Sequence, residues 1–368
     1  MRFGAATTGK IWFERGVTSL AAIVCCLGGV GCSKHVPLAA PAATLSVPSR
    51  LCASGEAPPQ CRSARQVEDL LAGPLTILDM ADPPSGSQGA KLLTVRALVG
   101  GRALVFRAKW RPQSSDDLIN ESRKELAACA VQKLFLDDAE LVAPPTAARC
   151  FSLGAYQAFA PDTKATFAET DCVFGFASYW LEDIVTVAQA RERGLLAAGE
   201  GILDPSRFDR DPVYRSSLGN ANLLTYAINH GDAHDGQFLL QSTSHGWRAF
   251  VVDNSISFLS IKNPMLLFRQ DWSQVQVAAL PKKAIERLAK LSSEDYERLG
   301  NVAELERRGR ELVPAPSASP ATKSDGSALS WNGDRLRVGL TAHEIELVKS
   351  RVAALLRRSD LAQLTEPR

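Results

Sequence analysis

The chain has 368 residues, with 42 Lys and Arg against 40 Asp and Glu, a net charge of +2, and 45% hydrophobic and 22% charged residues. That balance excludes the strong basic excess of a nucleic-acid binder, and the apolar share excludes a wholly disordered chain. The length suits one large domain or two small ones, and the bulk numbers are silent about chemistry.

Arg2, Lys10 and Arg15 precede an uncharged run, Val17 to Gly31 (VTSLAAIVCCLGGVG), which ends in small residues and Cys32. This order predicts an export signal over residues 1–31. The run is shorter than the roughly twenty residues a membrane-spanning helix needs. The GVGC text ending at Cys32 resembles the lipobox of bacterial lipoproteins, with Gly29 where leucine is usual. The resemblance implies cleavage before Cys32 and lipidation of its thiol. With Ser33 following, it also implies sorting to the outer membrane facing the periplasm, and plain secretion is the alternative. Loss of residues 1–31 takes away three basic residues and Glu14, so the mature chain is neutral and meets a membrane only through its lipid anchor. No second stretch of spanning length follows.

Five cysteines remain: Cys52, Cys61, Cys129, Cys150 and Cys172. In an oxidising compartment Cys52 and Cys61, which bracket CASGEAPPQC, read as a disulfide, and Cys150 with Cys172 as a second candidate pair. Cys129 lies on a helical apolar face and reads as a small core residue. No CxxC pair is present, which argues against a structural zinc site. Residues 32–62 hold Pro37, Pro41, Pro48, Pro58 and Pro59 among small residues and read as a tether. Residues 313–330 have a similar composition and read as a linker. The expected body is therefore 63–312, with a helix in 331–368 returning to it.

The body opens with a predicted helix over 64–72, then apolar runs at 91–99 and 102–109 around Gly100-Gly101, a β-hairpin signal. Asp116-Asp117 is a capping signal for a helix carrying Leu126, Ala127, Ala130, Val131 and Leu134. Strand patterns return at 149–158 and 172–180, and helical ones over 184–198 and 217–228. Phe238–Leu240 and Ala249–Val252 flank a turn at His245-Gly246. The rest reads as helical, with Thr341 and Glu344 as a capping box. The fold class is α+β, with a strand-rich first half and a more helical second half in two lobes.

Asp232 and Gln237 precede the first strand of the 238–252 hairpin, and Asp253 follows its second. These carboxylates and the amide are expected to converge, and hard oxygen donors of this kind suit Mg²⁺ or Mn²⁺ held with phosphates. The stretch N-H-G-D-A-H-D-G-Q from Asn229 to Gln237, with V-D-N-S-I-S-F from Val252 to Phe258, resembles the catalytic loop and metal-binding segment of the atypical kinases. That superfamily includes the phosphatidylinositol 3-/4-kinases and the secretory-pathway kinases of the Golgi casein kinase type. The resemblance spans about residues 75–358 and implies a two-lobed kinase-like fold that binds ATP or another nucleotide. Asp232 would orient or deprotonate the attacking hydroxyl, Gln237 would replace the metal-binding asparagine, and Asp253 would hold the metal. Lys109, in VFRAKW, would contact the phosphates, and Glu125, opening ELAACAVQKLF, would pair with that lysine. Gly86 and Gly89 belong to the loop expected over the phosphates.

Three positions depart from the family text: Ala233 for arginine, Gln237 for asparagine and Ser255 for glycine. They leave open an inactive pseudokinase that binds nucleotide or protein. Taken alone, Asp232 is also a turn-capping residue, and His234 reads as structural. The cluster around His230 and His234 allows a second enzyme class, a metal hydrolase. The phosphoacceptor, a hydroxyl of protein, sugar or lipid, is not specified by any residue.

Overall fold

The computed structural model describes residues 45–46, 50–53, 56, 61–84, 89–114, 120–181, 183–197, 201–259, 270–315 and 328–365. The chain divides into two units, Met1–Pro41 and Ala42–Arg368. The first unit, with the expected export signal and Cys32, lies outside the described residues, as do Gly86, Asp116 and Asp117. The second is a mixed α+β fold built on antiparallel sheets.

Strand β1 (Leu45–Ser46) and helix α1 (Ala64–Ala72) precede the meander of β2 (Leu75–Ala81), β3 (Lys91–Val99) and β4 (Arg102–Pro112). The Ser63 hydroxyl accepts from the Gln66 N–H while the Gln66 side chain accepts from the Ser63 N–H, which satisfies two otherwise orphaned donors and starts α1. The β3–β4 turn uses Gly100 and Gly101 at φ 55° and 75°, backbone that glycine adopts without Cβ strain. Leu104, Phe106, Ala108 and Trp110 are buried on one face of β4, against α1 and β3. The period of two therefore sends Lys109 to the other face.

Helix α2 (Arg123–Gln132), β5 (Thr146–Ser152), α3 (Leu153–Gln157) and β6 (Cys172–Tyr179) follow. β6 inserts between β4 and β5, giving the order β2-β3-β4-β6-β5, and β1 adds to β4 in parallel. Next come β7 (Ile184–Thr186), α4 (Val187–Glu192), α5 (Pro205–Arg210), α6 (Pro212–Ala227), and the hairpin of β8 (Phe238–Thr243) and β9 (Gly246–Val251). Most of α6 is buried, in a helical core shared with that hairpin.

Helices α7 (Lys282–Leu288) and α8 (Ser293–Glu297) lead to β10 (Ala303–Arg308), β11 (Glu311–Pro314), β12 (Leu329–Asn332) and β13 (Arg335–Val338), then α9 (Ala342–Leu356) and α10 (Leu361–Thr365). The last four strands form a sheet in the order β11-β10-β13-β12. Its Leu305, Leu312, Leu336 and Val338 pack on Leu126 of α2 and on Phe174 and Phe176 of β6.

Several boundaries differ from the sequence reading. The expected linker 313–330 ends in strands on both sides, and 331–338 holds the end of β12, a turn and β13 before the helix begins. Only residues 316–327 of that stretch lie outside the described residues. The expected tether is packed at its end: Leu51 and Cys61 are buried, and Arg248 donates to the Cys52 carbonyl at 2.9 Å. The run read as helix from 184 is β7 before it is α4, and the segment after Ser152 is α3, not strand.

Disulfides join Cys52 to Cys61 and Cys150 to Cys172, and Cys129 is free and buried. Replacing Cys150 and Cys172 together by serine is expected to cost about 3 kcal/mol in denaturant unfolding, because the bridge closes a loop of 22 residues in the unfolded chain. Unfolding midpoints that coincide for the two proteins would contradict this. Among the described residues no helix is long and apolar enough to cross a membrane.

Candidate functional site

Four pieces of backbone deliver the site: β4, the first turn of α2, the loop after α6 and the segment after β9. β4 carries Lys109, whose Nζ lies 2.9 Å from Glu125 Oε1 and 3.0 Å from Asp253 Oδ1. Glu125 stands in the first turn of α2, and its other oxygen accepts the Asn254 N–H at 3.1 Å. One carboxylate thus ties the lysine strand to the segment after β9. Burial works against the Lys109 ammonium, but Glu125 and Asp253 outweigh it and hold its pKa above the ordinary 10.5. Burial also pushes the Asp253 carboxyl up, and Lys109 overrides that, so the group sits below 3.8. Both charges are present at neutral pH.

The loop after α6 runs against the Asp253 segment. Gly231 N–H donates to the Ile256 carbonyl at 2.7 Å, Phe258 N–H to Ile228 at 2.7 Å, and Val252 N–H to Gln237 at 2.9 Å. Within the loop, Gln237 Nε2 donates to Asp232 Oδ2 at 3.3 Å, and His230 Nδ1 accepts the Asp232 N–H at 3.3 Å. His234 Nδ1 accepts the Gly236 N–H at 3.0 Å, a local loop contact. Asn229, Asp253 and Phe258 have positive φ, at 45°, 62° and 59°. Asn and Asp tolerate this backbone, but an aromatic residue there is an outlier that the surroundings must impose.

Lys109, Glu125, Asp232, Gln237 and Asp253 line one cleft of about 580 Å³. Pro83, Pro84 and Ala90 flank the glycine loop and line it too; Gly89, next to Ala90, has φ 71°. Sequence reasoning missed other parts of the wall: Tyr179, Trp180 and Leu181 at the end of β6, Thr186 and Gln189 from α4 and its cap, and Arg111. Arg111 was findable, being two residues beyond Lys109 on the same face of β4. Its guanidinium donates to the Asn120 carbonyl at 2.6 Å.

Among the described residues no group of three or more His, Cys, Asp or Glu side chains is arranged to hold a metal. A divalent ion in this cleft would take ligands from Asp253, the Gln237 amide, phosphates and water, the habit of Mg²⁺ with nucleotides. The donor set is all hard oxygen and fits such an ion. The two segments also hold buried polar atoms with no protein partner: His230 Nε2, both amide atoms of Asn254, and Ser257 Oγ. Buried polar groups are nearly always paired, so these four atoms are exceptions within the two segments that carry Asp232 and Asp253. Ala233 is buried in the helical core, and the Ser255 hydroxyl lies 3.5 Å from Asp253 Oδ1. Neither a protein-family model nor a curated protein sequence matches this chain.

Proposed function

We propose that this protein is a two-lobed, kinase-like envelope lipoprotein that transfers the γ-phosphoryl group of ATP to a hydroxyl of a protein, sugar or lipid. The observation that carries the reading is Lys109 Nζ, held 2.9 Å from Glu125 and 3.0 Å from Asp253, in the cleft that Asp232 and Gln237 also line. An ammonium fixed by two carboxylates is aimed, and aimed charge at phosphate oxygens is most of what phosphoryl transfer asks of a protein. The acceptor oxygen would attack the γ-phosphorus, the bond to the departing ADP oxygen would break, and the acceptor proton would pass to Asp232. Asp253 and Gln237 would hold Mg²⁺ or Mn²⁺, which supplies charge neutralisation on the phosphates. Lys109 orients the phosphate oxygens, and Glu125 keeps the lysine in place. The two disulfides support folding in an oxidising compartment, in keeping with the export signal and lipid anchor read at Cys32.

A second reading, a pseudokinase that binds nucleotide without transfer, is favoured by Gln237, whose amide N–H donates to Asp232. The full chain with labelled ATP and Mn²⁺ or Mg²⁺ decides between them. ADP release that disappears in Lys109→Met supports the kinase. Nucleotide-induced thermal stabilisation without turnover supports the pseudokinase, and no nucleotide response at all overturns both.

A further inference from the structure

The N-terminal turn of α2 is held from far away in the sequence. Ser122, its N-cap, makes no side-chain capping bond. Instead Arg123 reaches the C-terminal part of the chain: its Nη2 donates to Glu344 Oε1 at 2.8 Å, and its Nη1 to Glu344 Oε2 at 3.0 Å and to the Gly339 carbonyl at 3.2 Å. Arg123 Nε donates to Glu121 at 2.7 Å, and Lys124 pairs with the same Glu121 at 2.9 Å. Arg123 and Glu344 are 4% and 5% exposed, so the pair is a buried bidentate fork. Glu344 is itself fixed by the capping box of α9, accepting from the Thr341 N–H at 2.8 Å. The neighbouring contact is apolar, Leu126 against the β10–β13 sheet. Two residues beyond Arg123 stands Glu125, which holds Lys109.

We infer that the Arg123–Glu344 pair is a latch by which the C-terminal sheet and α9 hold α2 in the one position that puts Glu125 on Lys109. Arg123 is thus a positioning residue that acts through Glu125. The functional half of this inference rests on the kinase reading, but the positional half does not. Breaking a buried pair at one partner leaves an uncompensated charge, whereas removing both charges largely avoids that penalty. The double variant Arg123→Met/Glu344→Gln therefore separates folding from positioning, because methionine fills the space and glutamine retains the α9 cap.

Cys129, one turn beyond Glu125 on α2, supplies a readout independent of catalysis. It is buried, and burial pushes its thiol up to about 12, so it is inert while α2 is docked. In the full chain, N-ethylmaleimide labelling at Cys129, located by peptide mass spectrometry, is expected to rise about tenfold or more in the double variant while thermal unfolding stays cooperative. In parallel, kcat for ADP release is expected to fall to the level of Glu125→Gln, with no further loss when the latch variant is added to Glu125→Gln. Unchanged labelling in the folded double variant overturns the latch. Additive losses overturn its action through Glu125. If the wild-type protein shows no nucleotide response, the kinase reading fails, and the labelling still judges the latch alone.

Discussion

Asp253→Asn is expected to leave a folded protein in which the proposed phosphoryl transfer falls about a hundred- to a thousandfold, the scale seen when a charge-stabilising group is removed from a reacting centre. The substitution is chosen for its shape. Asparagine tolerates the left-handed backbone at φ 62°, and its amide oxygen can still accept from Lys109, so the fold loses little. What disappears is the negative charge that balances the ammonium and would hold the divalent ion. Glu125 remains beside Lys109 and keeps the strand and helix together. ADP release by Asp253→Asn and wild type, each over a Mn²⁺ titration, is the measurement. Turnover within threefold of wild type at equal metal would remove Asp253 from the machinery.

The second large effect is on stability. Trp272→Ala is expected to cost about 3–5 kcal/mol in urea unfolding, the usual range for deleting a large buried aromatic side chain. Trp272 is fully buried, its ring centroid 4.7 Å from that of Phe238, and its Nε1 donates to Asp235 at 3.2 Å. Its backbone is also a junction: the N–H donates to Ala233, and the carbonyl accepts from Asn222 at 3.1 Å and Thr225 at 2.7 Å. Ala233 and Asp235 belong to the loop that carries Asp232, so the cavity would open directly behind the site. Trp272→Phe keeps most of the volume and loses one hydrogen bond, so its cost should be nearer 1 kcal/mol. Equal losses in the two variants would mean that packing at Trp272 contributes nothing.

Local chemistry was legible in the sequence, and long-range pairing was not. The hairpin at Gly100-Gly101, the hairpin before Asp253 and the capping box at Thr341 each announce themselves within a few residues, and all three are present. The gathering of Asp232, Gln237 and Asp253 follows from the second hairpin alone. The insertion of β6 between β4 and β5 brings Tyr179 to Leu181 to the cleft, and no local pattern encodes that order. The C-terminal sheet was hidden because strands such as AELERR carry a single large apolar residue, Leu305, among charges. Read in isolation, such a stretch is as polar as a loop. Arg123 and Glu344 are separated by 221 residues, so each looks like an ordinary surface charge until the fold joins them.

That separation also has a consequence for the order of assembly. Synthesis from the N-terminus yields Lys109 and Glu125 long before Glu344, so these two meet a complete neighbourhood only when α9 arrives. Closing so long a loop is slow, and mixed sheets with distant partners fold late. On the proposed latch, the finished cleft needs the C-terminal sheet and α9, and a nascent or C-terminally clipped chain would carry α2 undocked.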